Sequence, residues 1–186
     1  LGQIIARNPN IDPAVKRWLI HLENGCYGTR IDDLLKHIDG QLEENGNRDH
    51  VKIHPAILSE ASVAAIIPFH SNGSSSPEQV KGVFKILKPG IRSHLDEELV
   101  VLEKTAAFFE ENRHRYDFKD FRFLDIFREV REIMLKEIDL AAEQKYLVEA
   151  ARFYRDMEGI QIPEPLSFST DRMTAMTHLH GPKITD

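Results

Sequence analysis

One charge stands where a strand should carry a hydrophobe, and it limits what this chain can fold into. In Lys81-Gly-Val-Phe-Lys-Ile-Leu87 the run is apolar and strand-like, with Lys85 two positions from both Val83 and Leu87. Alternation along a strand puts those three residues on one face. An unpaired ammonium buried there costs several kcal/mol, so the fold must bring it a counter-ion, a ligand or both. Glu143 is the matching anomaly. It follows Leu140 by three residues and precedes Leu147 by four, so it faces with the apolar stripe of a helix. Mutual neutralisation in a cleft explains both charges economically. On spacing alone, a stripe-edge carboxylate and a lysine guarding an edge strand remain the alternative.

Two more carboxylates sharpen the pattern. Glu137 follows Val130 by seven residues, again on an apolar face, and Asp139 precedes Glu143 by four. Three acids on one short helical stretch would ordinarily be a solvated face. That default leaves the two at apolar-stripe positions unexplained.

The hydrophobic period changes twice along the chain. Residues 1–60 read as mostly helical. Asp12-Pro13 starts a helix with Val15, Trp18, Leu19 and Leu22 on one face, closed by Gly25. Thr29 caps a second with Ile31, Leu34, Leu35 and Ile38, ending before Gly40, and Gln41 to Asp49 reads as a polar connector. From 61 to 88 the pattern predicts a hairpin: Ala61 to Phe69, a Ser71 to Pro77 loop, then the Lys85 strand, stopped by Pro89-Gly90. Helical stripes return over 91–157: Leu95, Leu99, Leu102, Ala106 and Phe109, then Leu124, Phe127, Val130 and Met134, then Leu140, Leu147, Ala151 and Tyr154. A second hairpin is predicted from Pro165–Phe168 and Arg172–Leu179. Helices alternating with hairpins predict an α+β fold, an antiparallel sheet with helices packed on it.

Composition narrows the function. Thirty acidic against 24 basic residues give a net charge of −6, which argues against a nucleic-acid surface. The lone Cys26 rules out an internal disulfide framework, fits a reducing compartment and reads as structural. No stretch nears the ~18 apolar residues of a membrane span, and no signal-peptide pattern is present. The expected location is cytoplasmic or peripheral to a membrane. With Leu1 at one end and Lys183-Ile-Thr-Asp186 at the other, the chain is expected to be a piece of a longer protein.

In order and wording the chain resembles the UbiB/AarF family of atypical protein-kinase-like proteins. Val83-Phe-Lys-Ile-Leu-Lys-Pro-Gly-Ile91 is similar to that family's Val-Ala-x-Lys-x-x-x-Pro-Gly-Ile strand, and Glu137-Ile-Asp139 to its Glu-x-Asp signature. Glu143 falls where the family places the glutamate of the αC helix. Leu1-Gly2-Gln3 resembles the end of its Lys-x-Gly-Gln motif, and Arg172 to Gly181 its fifth strand and hinge. The resemblance implies a kinase-like N-lobe over 59–186 with a helical insertion at about 91–128, a helical extension over 1–58, and a C-terminal lobe outside this chain.

It also implies roles. Lys85 would contact the phosphates of ATP and pair with Glu143. Ala61, Ser62, Val63 and Ala64 would form the alanine-rich loop that replaces a glycine-rich one. Met176 would be the gatekeeper, with the backbone of Thr177 to Leu179 facing adenine. Gly2 and Gln3 would belong to an extension folded over the site, with Glu137 and Asp139 as its acidic partners. The implied cofactors are ATP and Mg²⁺, with the metal ligands in the missing lobe, since no catalytic-loop Asp/Asn pair or Asp-Phe-Gly motif occurs here. The implied partners are nucleotide, the missing lobe and membrane-associated proteins of quinone or lipid biosynthesis. Glu60 and Ala65 depart from the family's loop, and Thr177 from its hinge glutamate. Those departures leave a non-catalytic pseudokinase or scaffold module as the alternative, and a plain α+β interaction domain as a third reading should Lys85 and Glu143 prove distant. His178 with His180, and His50 with His54, lack a third ligand of suggestive spacing, so no metal site is expected. The Phe118 to Phe127 run reads as core.

Overall fold

The alternation around Lys85 forms the strand it predicts, and the rest of the sheet is built against it. The computed structural model describes residues 29–72, 79–115, 122–179 and 181. Its elements are α1 (Ile31–Glu44), β1 (Val51–Ile53), β2 (Ser59–Glu60), β3 (Ala64–Asn72), β4 (Gln79–Leu87), α2 (Ile91–Asn112), α3 (Phe123–Glu137), α4 (Leu140–Phe153) and β5 (Met173–Thr177), with a 3-10 turn at Arg48–His50. The strands pair antiparallel in the order β1-β3-β4-β5, and β2 pairs with β3. Helices on such a sheet are the α+β arrangement of a kinase-like N-lobe.

Strand register sorts the residues onto two faces. Ile67, Phe69, Phe84, Ile86, Met173 and Ala175 form the core face, and α1 lays Leu34, Ile38 and Leu42 on it. Phe69 stacks on Phe84 at 4.2 Å, and Phe168 meets Phe69 edge-on at 5.6 Å. The opposite face carries Lys85 between its cross-strand partners Ile66 and Thr174.

The helix stop lies at Gly46, not Gly40. Asn47 N–H bonds Leu42 C=O at 2.9 Å and Gly46 N–H bonds Glu43 C=O at 3.1 Å, with Gly46 at φ +70°. These are the paired bonds of a Schellman cap, which needs a residue tolerant of positive φ at that position. Gly40 lies mid-helix because burial of Leu42 outweighs its roughly 1 kcal/mol propensity cost. The polar connector therefore contains the last turn of α1, and the mostly helical reading of the first 60 residues misses β1 and β2. Pro165 to Phe168 is not a strand either. Pro163 and Pro165 lack N–H donors, and the segment reaches β5 through an isolated Pro165–Met176 bridge and a Leu166 N–H to Ala175 C=O bond of 2.7 Å.

By compactness the chain divides into two units. Residues 31–91 and 135–186 form one unit, so α1 and β1 belong with the sheet, while 92–134 belong to another. In that second unit α2 buries Leu95, Leu99 and Ala106, and Phe109 stacks on Phe123 at 5.3 Å. The Glu110 carboxylate accepts the Phe123 N–H at 2.8 Å and so caps the start of α3. The predicted helix at 12–25, Cys26 and the Gly2–Gln3 motif lie outside the described residues.

Candidate functional site

The site begins at the gap between two helices. Glu137 ends α3, and Asp139 is the N-cap of α4, its carboxylate accepting the Ala142 N–H at 3.0 Å. The three acids are therefore not on one helix, and Glu137 is exposed rather than on an apolar face. What the cap does is place Glu143 in the first turn of α4, where the helix dipole favours a carboxylate.

From there Glu143 reaches the sheet. Lys85 Nζ donates to Glu143 Oε1 at 2.6 Å and to Oε2 at 2.7 Å. The two side chains keep 23% and 35% of their exposure, so the pair is half-buried and still open to solvent. That contact removes the motive for a plain interaction-domain reading.

Strand register sets the neighbours of the pair. Ala64 opposes Leu87, Ile66 and Thr174 flank Lys85, and Pro68 and Met176 flank Val83. Ala64, Lys85 and Met176 therefore share one sheet face. Ala61 N–H bonds Ala64 C=O at 2.9 Å, making Ser62 and Val63 a tight hairpin turn between β2 and β3. Lys88 N–H holds that turn by bonding Val63 C=O at 2.9 Å.

The departures from the family pattern acquire physical reasons. Glu60 forms an ion pair with Lys88 at 2.7 Å, with only 10% of the lysine side chain exposed. Ala65 is fully buried in the core cluster, where a glutamine would lose its hydration. Thr177 accepts the Glu164 N–H on its hydroxyl at 2.9 Å, and its own N–H donates to Glu164 C=O at 3.1 Å. The Thr177 N–H and hydroxyl are thus both engaged by Glu164, and Leu179 is exposed.

The histidines resolve differently from their sequence pattern. His178 lies past the end of β5, and His180 is outside the described residues. His54 instead bonds His70 across the sheet, ring nitrogen to ring nitrogen. Desolvation, then the neighbouring His54, Lys81 and Lys52, hold the His70 pKa below its ordinary value. No cluster of three metal-ligating side chains occurs among the described residues. An ammonium beside a tight backbone turn suits an anion rather than a divalent ion.

A polar network that spacing does not reveal lies beside the ion pair. Gln144 Nε2 donates to Thr170 C=O at 2.7 Å and to Thr174 Oγ1 at 3.0 Å, and Thr170 Oγ1 donates to Gln41 Oε1 at 2.6 Å. Thr174 is fully buried and Gln41 is 5% exposed. A polar side chain in a strand or helix is unremarkable in sequence, so only the fold shows these four to be joined.

The family comparison bears on the whole of this arrangement. The model of the ABC1 atypical kinase-like domain matches residues 21–186. An uncharacterized chloroplastic aarF domain-containing protein kinase of Arabidopsis thaliana is 26% identical over 195 residues, covering 100% of this chain and 34% of its own length. The probable protein kinase UbiB of Vibrio vulnificus strain YJ016 is 23% identical over 130 residues, covering 69% of this chain and 23% of its own. The chain spans 34% or less of these curated relatives.

Proposed function

The chain belongs to the ABC1 atypical kinase-like family, and on that premise we propose that it supplies the ATP-binding N-lobe of an atypical kinase or ATPase of the UbiB/AarF type. The observation that carries the reading is the bidentate contact between Lys85 and Glu143 at 2.6 and 2.7 Å. In kinase-like sites that pair holds the lysine over the α- and β-phosphates. Here Glu143 orients the ammonium, Lys85 takes the phosphate charge, and the Ala61–Ala64 turn lies at the same end of the face. Met176 and the Thr177 carbonyl border the base. Gly2, Gln3, Glu137 and Asp139 belong to the family motif that would cover this cleft. The described residues gather no metal site of their own, so Mg²⁺, which would supply charge neutralisation on the phosphates, would need ligands from outside them. The metabolic setting implied by the UbiB resemblance is quinone or lipid biosynthesis, with proteins of that pathway as partners. Among the described residues no helix is long and apolar enough to cross a membrane, so attachment at a membrane surface is the form of association proposed.

The test uses the full-length protein. A nucleotide at a hundred times its Kd stabilises its binder by about 2.7 kcal/mol. Lys85→Met should remove most of that ATP-induced rise in Tm, and an unchanged rise takes Lys85 out of the nucleotide site. The engaged N–H of Thr177 favours one competing reading, a pseudokinase or scaffold module docking a biosynthetic complex. Titration of ATP with and without Mg²⁺, coupled to a turnover assay, separates the two: binding without turnover supports the scaffold.

A further inference from the structure

Glu143 and Gln144 are adjacent on α4, and their partners are adjacent on the sheet. Glu143 holds Lys85 of β4, and Gln144 holds Thr174 of β5, the direct cross-strand partner of Lys85. The helix is thus fixed by two prongs in neighbouring rows, one ionic and one neutral. A single ion pair to a flexible lysine fixes neither the rotation nor the height of a helix, because four side-chain torsions absorb the error. The Gln144 amide is stiffer, and both of its protons are spent on fixed acceptors: Thr174 Oγ1 at 3.0 Å and the Thr170 carbonyl at 2.7 Å.

The acceptors are themselves held. Thr170 N–H bonds Met173 C=O at 2.7 Å, and Thr170 Oγ1 accepts the Met173 N–H at 3.1 Å while donating to Gln41. Asn45 Nδ2 bonds Phe168 C=O at 3.0 Å and ties the same turn to the end of α1. Since α1 lies on the core face and α4 on the Lys85 face, the turn at 168–173 connects helices on opposite sides of the sheet.

We infer that Gln144, acting through Thr174 and Thr170, is a positioning residue that sets Glu143 against Lys85. This inference rests on the nucleotide-site reading above. Buried polar networks of this kind are costly when half satisfied, so loss of one member shifts the helix rather than leaving it in place. The alignment of the lysine, and with it the affinity for phosphate, then falls.

The experiment is a titration of Mg²⁺–ATP onto the full-length protein, with Tm measured in parallel. Thr174→Val keeps the shape of the side chain and deletes the acceptor. Gln144→Leu deletes both donors, and Thr174→Ser restores the hydroxyl. Each is made in the parent and again with Glu143→Gln, where the ion pair is already gone. A neutral hydrogen bond corresponds to roughly a two- to tenfold change in an equilibrium constant. Thr174→Val and Gln144→Leu should raise the Kd for ATP by that factor in the parent, and Thr174→Ser should return it. Neither should weaken binding further beside Glu143→Gln. Tm should fall in both backgrounds, because the structural role remains. Equal affinity losses in the two backgrounds, or a lower Tm with unchanged Kd in the parent, overturn the inference. If Glu143→Gln alone leaves the Kd unchanged, the nucleotide-site reading fails and the inference with it.

Discussion

Gly82 is a point of close packing in the strand that carries Lys85, and Gly82→Ala measures how tightly that strand is held. A Cβ at Gly82 would stand 2.3 and 2.7 Å from two atoms of the Phe69 ring and 2.8 Å from the Met176 carbonyl oxygen. None of the three has room to give. The ring is stacked on Phe84 at 4.2 Å and abuts Phe168, and the carbonyl belongs to the backbone of β5. Gly82 is not among the glycines at positive φ, so the cost is steric rather than conformational. Overpacking a core by a methyl costs about 1–3 kcal/mol, and the locked neighbours put this site near 3. Replacing a strand glycine returns about 0.5–1 kcal/mol of backbone entropy. The net loss is about 2 kcal/mol. At about 2–4 °C per kcal/mol for a chain this long, Tm should fall by about 4–8 °C in thermal unfolding followed by circular dichroism. Phe69→Leu should be destabilising alone, yet the double variant should lose less than the sum of the two, since the smaller side chain vacates the space the methyl needs. A Gly82→Ala protein melting within about 1 °C of the parent, or strictly additive losses, would refute the packing argument.

Two further outcomes follow from charges on the sheet. The folded protein holds His70 below its ordinary pKa, so below about pH 6.5 the unfolded chain takes up the proton first and stability falls as pH is lowered. Denaturant titrations between pH 5 and 7.5 should therefore show a shallower acid loss in His70→Gln, and an unchanged slope would exclude His70 as its source. Glu60→Gln removes the counter-ion of Lys88, whose side chain is only 10% exposed, and should cost about 1 kcal/mol while speeding amide exchange in β2 and the β2–β3 turn; unchanged exchange there would show that the pair does not hold the turn.

What could be read from the sequence was what broke a pattern. Lys85 and Glu143 each violate the apolar periodicity of their element, so each advertises an absent partner, and the structure places them 2.6 Å apart. The Lys85 strand and its hairpin partner were legible for the related reason that alternation and Pro89-Gly90 are local signals. Helix ends were less so. Gly40 and Gly46 look alike in sequence, and only burial of Leu42 decides which one stops α1. β1 and β2, at three and two residues, are too short for any period to show, and they exist because β3 offers them an edge.

The Gln144 network escaped for the opposite reason, and the contrast explains why such sites are read only in part. Gln144, Thr174, Thr170 and Gln41 are polar groups whose partners lie up to 129 residues away in the chain. A threonine in a strand and a glutamine on a helix satisfy every local expectation, so nothing in the sequence marks them as coupled. A charge in an apolar row must be answered by another charge, and the demand is visible even when the answer is distant. A neutral hydroxyl or amide is answered by any acceptor that the fold presents, so its choice of partner is written only in strand register and helix rotation. The ion pair therefore announces itself in the sequence, while the neutral network beside it appears only once Lys85 and Thr174 are seen to be cross-strand neighbours.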